Sequence, residues 1–248
     1  MTTSQHAKWS RRYRRCMGKV WMHPDNDQRA AVLSWLPSRI PAGAAIVDVG
    51  AGDGYYAPVL RPRRYLVAEP DLALRRRCLA ACEGLDMEAA FFPSLVRLFA
   101  SGLAGDAEVV LLVHSLFYLS FEELQFTLRL VQGRSCVVVY PDPDTSATVR
   151  FEDEIGSRRS RALVDAMRAS LGPPKDSTRV ATHLRFPYRT RSSDVAFVLG
   201  HLMLRDASGT GILAKALAYV REYRTNWRTA DGGWALPQSQ IMEWWQRV

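Results

Sequence analysis

The chain has little lysine, little cysteine and no long apolar run, and each shortage closes off a class of function. No stretch approaches the roughly 20 apolar residues that cross a bilayer, so no membrane partner is expected. Met1 to Ser10 lack the apolar h-region of a secretory signal, which leads to the expectation of a cytoplasmic protein. The four cysteines are Cys16, Cys78, Cys82 and Cys136. Cys78 and Cys82 stand four apart on an expected helix, with no nearby histidine or second pair to complete a metal site. Reduced thiols and no bound metal are therefore expected. Internal repeats and low-complexity linkers are also absent.

The scarcity of lysine matters because the net charge is +8, and arginine supplies nearly all of it. Clusters occur at Arg11, Arg12, Arg14 and Arg15, at Arg61, Arg63 and Arg64, at Arg75 to Arg77, and at Arg158, Arg159 and Arg161. A basic surface attracts nucleic acid when its charges share a face. No recognisable nucleic-acid module accompanies these clusters, so a solvated surface is the preferred reading and a nucleic-acid partner is not expected.

What is present is concentrated in residues 46–54, Ile-Val-Asp-Val-Gly-Ala-Gly-Asp-Gly. An apolar strand ends in Gly50, Gly52 and Gly54, with Asp48 just ahead of them. Glycine permits positive φ and close backbone approach. Fifteen residues past Gly54, the apolar run Tyr65 to Ala68 ends in Glu69. Strand, glycine turn, helix, strand and acid is what a nucleotide-like ligand needs when it lies across the carboxyl edge of a parallel sheet. A dinucleotide fingerprint is G-x-G-x-x-G/A, and Tyr55 occupies its third small position, a poor fit. The G-x-G-x-G spacing, with an acid in the strand end, instead resembles motif I of the class I S-adenosylmethionine-dependent methyltransferases. Val47 to Gly54 match that motif, and Glu69 matches the family's ribose-holding acid.

The rest of the chain reads as alternating strands and helices, which imply a parallel sheet with right-handed crossovers. A basic, aromatic N-terminal helix to His23 is followed by a helix capped at Asp25 or Asn26 and stopped by Pro37. Strands are predicted at Ala45–Val49, Tyr65–Ala68, Met87–Phe92, Glu108–Val113 and Cys136–Tyr140. Asp71 caps a helix through Cys82, and Ser120 with Glu123 forms a capping box for a helix to Val131. A helix carries Leu163, Val164, Met167 and Leu171, and two more cover 194–204 and 211–224. Extended segments at 179–188 and 234–245 are placed in the C-terminal hairpin that the resemblance implies. The expected fold is α/β: a Rossmann-like, seven-stranded, mostly parallel sheet with helices on both faces, a C-terminal antiparallel hairpin and a helical cover. It forms a single methyltransferase domain over 1–248, with residues 1–40 as an N-terminal helical cap and about 190–230 as an insertion covering the substrate.

The resemblance also implies a site. Gly50, Ala51 and Gly52 would approach S-adenosylmethionine, and Asp48 would hold a water or the amino group near its methionine moiety. Glu69 would hold the ribose, Pro70 and Asp71 would flank the adenine or the ribose edge, and Phe92, Pro93 or Ser94 would meet the adenine. Tyr13 is expected to fold over the cofactor, where an aromatic face favours a cation. His114 follows the fourth strand, and His114 to Tyr118 resembles the His-x-Leu-Tyr-type segment of small-molecule methyltransferases, so both residues are catalytic candidates. His114 titrates in the right range for a general base and is also a cofactor contact. Tyr140, Asp142 and His183 are the candidates for holding the acceptor, although Pro141-Asp-Pro-Asp144 also reads as a simple turn. The expected reaction is methyl transfer to nitrogen or oxygen of a small metabolite, with oligomerisation open. The alternatives are an RNA or peptide methyltransferase, disfavoured by the absence of an Asn-Pro-Pro-Tyr-like segment, and a non-catalytic cofactor-binding subunit.

Overall fold

The computed structural model describes residues 15, 16, 18, 20, 27–203 and 210–246. These fall into two compact units, one from residues within 31–140, 161–179 and 241–248, the other from residues within 1–30, 141–160 and 180–240.

The first unit carries the sheet. Strand β1 (Ala45–Val49) is buried along its whole length, as is β4 (Val109–Val113). Continuous apolar runs of this kind suit a parallel sheet covered on both faces. Between them come the short helix α2 (Ala57–Leu60), β2 (Arg64–Ala68), helix α3 (Leu72–Cys82), β3 (Glu88–Phe92) and helix α4 (Leu95–Ala100). Helix α5 (Phe121–Val131) leads to β5 (Ser135–Pro141). Four parallel ladders fix the register, with Val47 opposite Leu66 and Val110, and Leu111 opposite Val137. Ala90 pairs with Leu66 at the outer strand, where Glu88 and Ala89 are exposed. The seven-stranded sheet runs β3-β2-β1-β4-β5-β9-β6, where β6 is Asp176–Val180 and β9 is Gln240–Trp245.

Local signals explain the helix starts. Asp71 accepts from Ala73 N and Leu74 N at the head of α3. Ser120 and Glu123 form the capping box of α5, satisfying donors that an uncapped helix leaves open. Pro37 sits in a 3-10 turn (Leu36–Ser38) that ends helix α1 (Asp27–Trp35).

The second unit holds helix α6 (Ala147–Glu154), the hairpin of β7 (His183–Phe186) with β8 (Trp234–Pro237), and helices α8 (Ser192–Met203), α9 (Thr210–Glu222) and α10 (Arg224–Trp227). Helix α7 (Arg159–Leu171) lies between α6 and β6 in the chain. The second unit has its own core: Phe151, Phe186, Phe197, Tyr219, Trp227 and Trp234 are all buried. Tyr223 stacks on Trp227, with ring centroids 5.1 Å apart.

Two expectations need correction. Residues 179–188 and 234–245 are not one long hairpin; each segment breaks in two. The outer parts β6 and β9 join the large sheet, while β7 and β8 form a separate two-stranded sheet. The break has a cause in the backbone. Gln238 N donates to Thr182 O at 2.9 Å, and Thr182 Oγ1 donates back to Gln238 O at 2.5 Å. Thr182 thus spends its carbonyl and hydroxyl on the Gln238 backbone at the crossing, and Pro237 lacks a donor for continuing the ladder. Helices α4 and α6 were not expected. Helix α6 ends in Asp153 and Glu154, the wrong sign for a helix C-terminus; burial of Val149, Phe151 and Glu152 overrides that preference. The N-terminal helix and the Asp25/Asn26 cap lie outside the described residues, apart from helical residues 15, 16, 18 and 20.

Candidate functional site

The site is built at the carboxyl ends of β1, β2 and β4. Each glycine of the turn after β1 has positive φ: 76° at Gly50, 59° at Gly52 and 74° at Gly54. The three differ in what surrounds them. A Cβ on Gly50 would lie 2.6 Å from Ser115 Cβ, and one on Gly54 would lie 2.7 Å from Cys78 Sγ and 2.9 Å from Cys78 Cα. A Cβ on Gly52 would meet nothing within 4 Å. Protein packing therefore accounts for the first and third glycines. The middle one faces open space, where a ligand can reach the backbone.

Glu69 closes the other side of the turn. Its Oε2 accepts from Gly52 N at 3.0 Å and its Oε1 accepts from Asp71 N at 2.8 Å. Arg75 donates to the Glu69 carbonyl at 2.6 Å. Glu69 N donates to Phe92 O at 3.0 Å, which sets Phe92 beside it, half-buried. Burial raises the Glu69 carboxyl above its ordinary range, opposed by the two backbone N–H groups. A carboxylate offers about four lone-pair sites, so each oxygen retains capacity for one more donor, such as a ribose hydroxyl. Ala51 is half-buried in the turn and Pro70 is exposed beside Glu69.

Asp48 is turned into the sheet interior. It is 2% exposed, and Tyr65 Oη donates to its Oδ2. The ladder explains the pairing: Tyr65 sits opposite Ile46, so it shares a face with Asp48 two residues further on. Burial pushes the Asp48 carboxyl from 3.8 up to about 7, with the Tyr65 bond opposing and the charge of Glu69 adding to it. The Tyr65 phenol is raised in turn, by burial and then by Asp48. Sequence reading missed Tyr65 as a partner; the strand alternation carried the signal, given the register.

After β4 the chain bends sharply at His114, which has φ of 57° and donates its N–H to Val139 O at 2.8 Å. A left-handed histidine is uncommon, and such strain gathers at functional sites. Ser115 follows, 4% exposed, with a buried hydroxyl that has no hydrogen-bond partner. Tyr118 ends the 3-10 turn (Leu116–Tyr118) and is half-buried.

Each acceptor candidate has hydrogen-bond partners of its own. Tyr140 is fully buried; its Oη donates to Glu243 Oε2 at 2.8 Å and accepts from Arg168 Nη2 at 2.8 Å. Arg168 pairs with Glu243 at 2.5 Å. Asp142 and His183 belong to the second unit. Asp142 Oδ1 accepts from Asp144 N at 3.1 Å and Oδ2 accepts from Thr145 Oγ1 at 2.7 Å, an Asx turn. His183 N donates to Asp27 Oδ1 at 2.9 Å and its Nδ1 lies 3.3 Å from Asp27 Oδ2. Tyr13 lies outside the described residues. Among the described residues no group of three or more metal-ligating side chains converges, and no helix is long and apolar enough to cross a membrane.

No family model matches the chain, and no curated protein does. Solved structures do. One, from work on the conversion of a disulfide bond into a thioacetal group during echinomycin biosynthesis, is 10% identical over 91% of this chain and 86% of the other, with a TM-score of 0.50. A SAM-dependent methyltransferase from Archaeoglobus fulgidus is 10% identical over 87% of this chain and 91% of the other, with a TM-score of 0.45. The [4+2]-cyclase SpnF is 14% identical over 88% and 81%, with a TM-score of 0.46. At 10% identity the first of these shows a likeness of fold alone, and fold alone does not fix chemistry.

Proposed function

We propose that this chain, whose fold is that of the class I S-adenosylmethionine-dependent methyltransferases, transfers a methyl group from S-adenosylmethionine to nitrogen or oxygen of a small metabolite. One observation carries the reading. Gly52 has open space where Gly50 and Gly54 have none, and its N–H is held by the carboxylate that would meet a ribose. The residues present fit the cofactor: a glycine backbone without a side chain, Glu69 with spare acceptor sites, and Ser115 with a buried hydroxyl lacking a partner.

When bound, S-adenosylmethionine supplies an activated methyl group on a sulfonium. The chain's own task is then alignment, since an in-line displacement at carbon gains most from holding the reactants close and oriented. Glu69 would fix the ribose end. Gly50 to Gly52 would fix the amino-acid end through their backbone. His114, held in a strained conformation at the end of a central strand, is the candidate to orient the acceptor or take its proton.

A small acceptor is favoured over RNA by how the arginines are used. Arg63 pairs with Glu108, Arg64 with Asp106 and Arg39 with Asp176. Arg134 donates to the carbonyls of Ala104, Ala107 and Leu130. These four arginines thus serve the fold rather than a free anion-binding groove. Calorimetric titration with S-adenosylmethionine and S-adenosylhomocysteine, with NAD as control, tests the cofactor. Micromolar binding of the sulfur nucleosides without an NAD signal supports the reading; binding of NAD alone overturns it. His114→Ala with undiminished turnover of an identified acceptor would reduce His114 to a packing residue.

A further inference from the structure

Strand β3 is one end of the large sheet, and among the described residues no strand pairs with its outer side. The ladder to β2 shows which backbone groups that side presents. Glu88 N donates to Arg63 O at 3.0 Å, and Phe92 O accepts from Glu69 N at 3.0 Å. Residues 88, 90 and 92 thus turn their backbone groups towards β2, in step with the parallel register. Alternation along the strand turns those of Ala89 and Phe91 outward. An open edge is a template for another strand, and proteins blunt it with proline, lysine, a bulge or a covering loop. Here Glu88-Ala-Ala-Phe-Phe92 holds no proline and no lysine, and its register with β2 is unbroken. Its single charge, Glu88, reaches back to Arg64 of β2 at 3.6 Å.

We propose that this edge is a dimer interface: β3 pairs antiparallel with β3 of a second copy, about a twofold axis at Ala90. The hydrogen bonding of the strand is self-complementary in that arrangement. With Ala90 opposite Ala90 of the second copy, Ala89 stands opposite Phe91 of that copy, and these are the residues whose groups point outward. Each such pair exchanges both of its N–H···O=C bonds, once on either side of the axis. The residue on the axis sits in a pair without hydrogen bonds, where Cα atoms approach to about 4.5 Å. Alanine leaves room for that approach. A twofold contact is closed, so it stops at two copies instead of growing into a fibre.

Charge selects a second copy, and selects its direction. Asp86 and Glu88 stand at the entry to β3 and Arg97 stands beyond its exit, all three exposed. Antiparallel pairing runs the acidic entry of one copy beside the basic exit of the other. A parallel second copy would set acid beside acid and base beside base, which is destabilising. The flanks add apolar surface. The crossovers before and after β3 run in opposite directions across the sheet, so right-handedness puts α3 and α4 on opposite faces. Each leaves a large aliphatic side chain in the open, Leu79 at 48% and Val96 at 50% exposure, as surfaces that meet a protein partner do.

The interface does not rest on the cofactor reading, and its test uses no cofactor. The full-length protein is followed by sedimentation velocity from nanomolar to high micromolar concentration, with amide exchange read across residues 86–94 at both ends of the series. A monomer–dimer equilibrium is expected, with exchange at Ala89 and Phe91 slow in the dimer and fast on dilution. Ala89→Pro removes an outward N–H from each copy and no bond to β2, so it should weaken dimerisation at least about tenfold. A charge reversal guards against a folding defect in that variant. Asp86→Lys alone should weaken the dimer, and adding Arg97→Asp to the same chain should restore it. A monomer throughout the series overturns the proposal, as does a dimer that Ala89→Pro and Asp86→Lys both leave unchanged. Slow exchange at Ala89 and Phe91 in the monomer also overturns it, since the chain would then cover this edge by itself.

Discussion

Two turns at strand ends each carry an aspartate, and they use polarity in opposite ways. After β5, Asp142 spends both carboxylate oxygens on Asp144 N and Thr145 Oγ1, and Ser146 Oγ donates to Ser239 O at 2.8 Å. Those hydrogen bonds are made within the protein. After β1, the backbone of Gly52 faces open space, and the adjoining Ser115 hydroxyl is buried without a partner. Burying such a group without a hydrogen bond costs about 1–3 kcal/mol, which a fold tolerates where a ligand completes the bond. An aspartate beside a turn is therefore no guide to function. What the turn leaves unsatisfied is the guide.

The sharpest way to break this comparison is within the glycine turn itself. Gly54→Ala meets the Cys78 backbone and a left-handed φ together; about 1–2 kcal/mol of backbone strain and about 1–3 kcal/mol of overpacking should add. Gly50→Ala should behave similarly against Ser115. Gly52→Ala bears only the backbone strain, so chemical denaturation should rank it clearly above the other two in stability, with loss of cofactor affinity as its main effect. Equal destabilisation of all three would mean that the open space at Gly52 is not there in solution.

Next in size is the pH dependence set by Asp48. Its folded value, about 7, lies above the unfolded value of 3.8. The folded state therefore binds the proton more tightly. The stabilisation from protonated Asp48 is fully present below about pH 4 and declines as pH rises through 7. The size is on the order of a few kcal/mol. Asp48→Asn should flatten the stability curve between pH 4 and 7, and a curve unchanged in slope would place the carboxylate in water rather than beside Tyr65.

Two smaller effects separate the turns by function. Asp142→Ala should lower stability by about 0.5–1.5 kcal/mol, since it removes bonds to a backbone donor and a hydroxyl on the exposed residues Asp144 and Thr145, with cofactor affinity unchanged. Glu69→Gln should do the reverse, weakening S-adenosylmethionine binding about tenfold, or about 1.4 kcal/mol, with little change in Tm. Calorimetry on both variants checks the pair; a cofactor effect at Asp142 larger than at Glu69 would invert the assignment.

Local patterns made much of the first unit legible. The apolar runs at 45–49, 109–113 and 136–140 are strands because nothing in them faces water, and Asp71 and Ser120 mark helix starts because their side chains bond to backbone three residues on or fewer. The second half was less legible. Helix α6 contradicts its own charge pattern, and the break shared by 179–188 and 234–245 depends on Thr182 meeting Gln238, 56 residues away.

The candidate site divides along the same line. The sequence alone determined where backbone must take a left-handed path and where an acid ends the second strand, because glycine spacing and strand length are local properties. Tertiary structure decided what those residues do. It turned Asp48 inward to Tyr65, set Glu69 on Gly52, and filled the space at Gly50 and Gly54 while leaving Gly52 open. Those outcomes depend on strand register and helix packing, which join residues far apart in the chain through contacts that no short stretch of sequence contains.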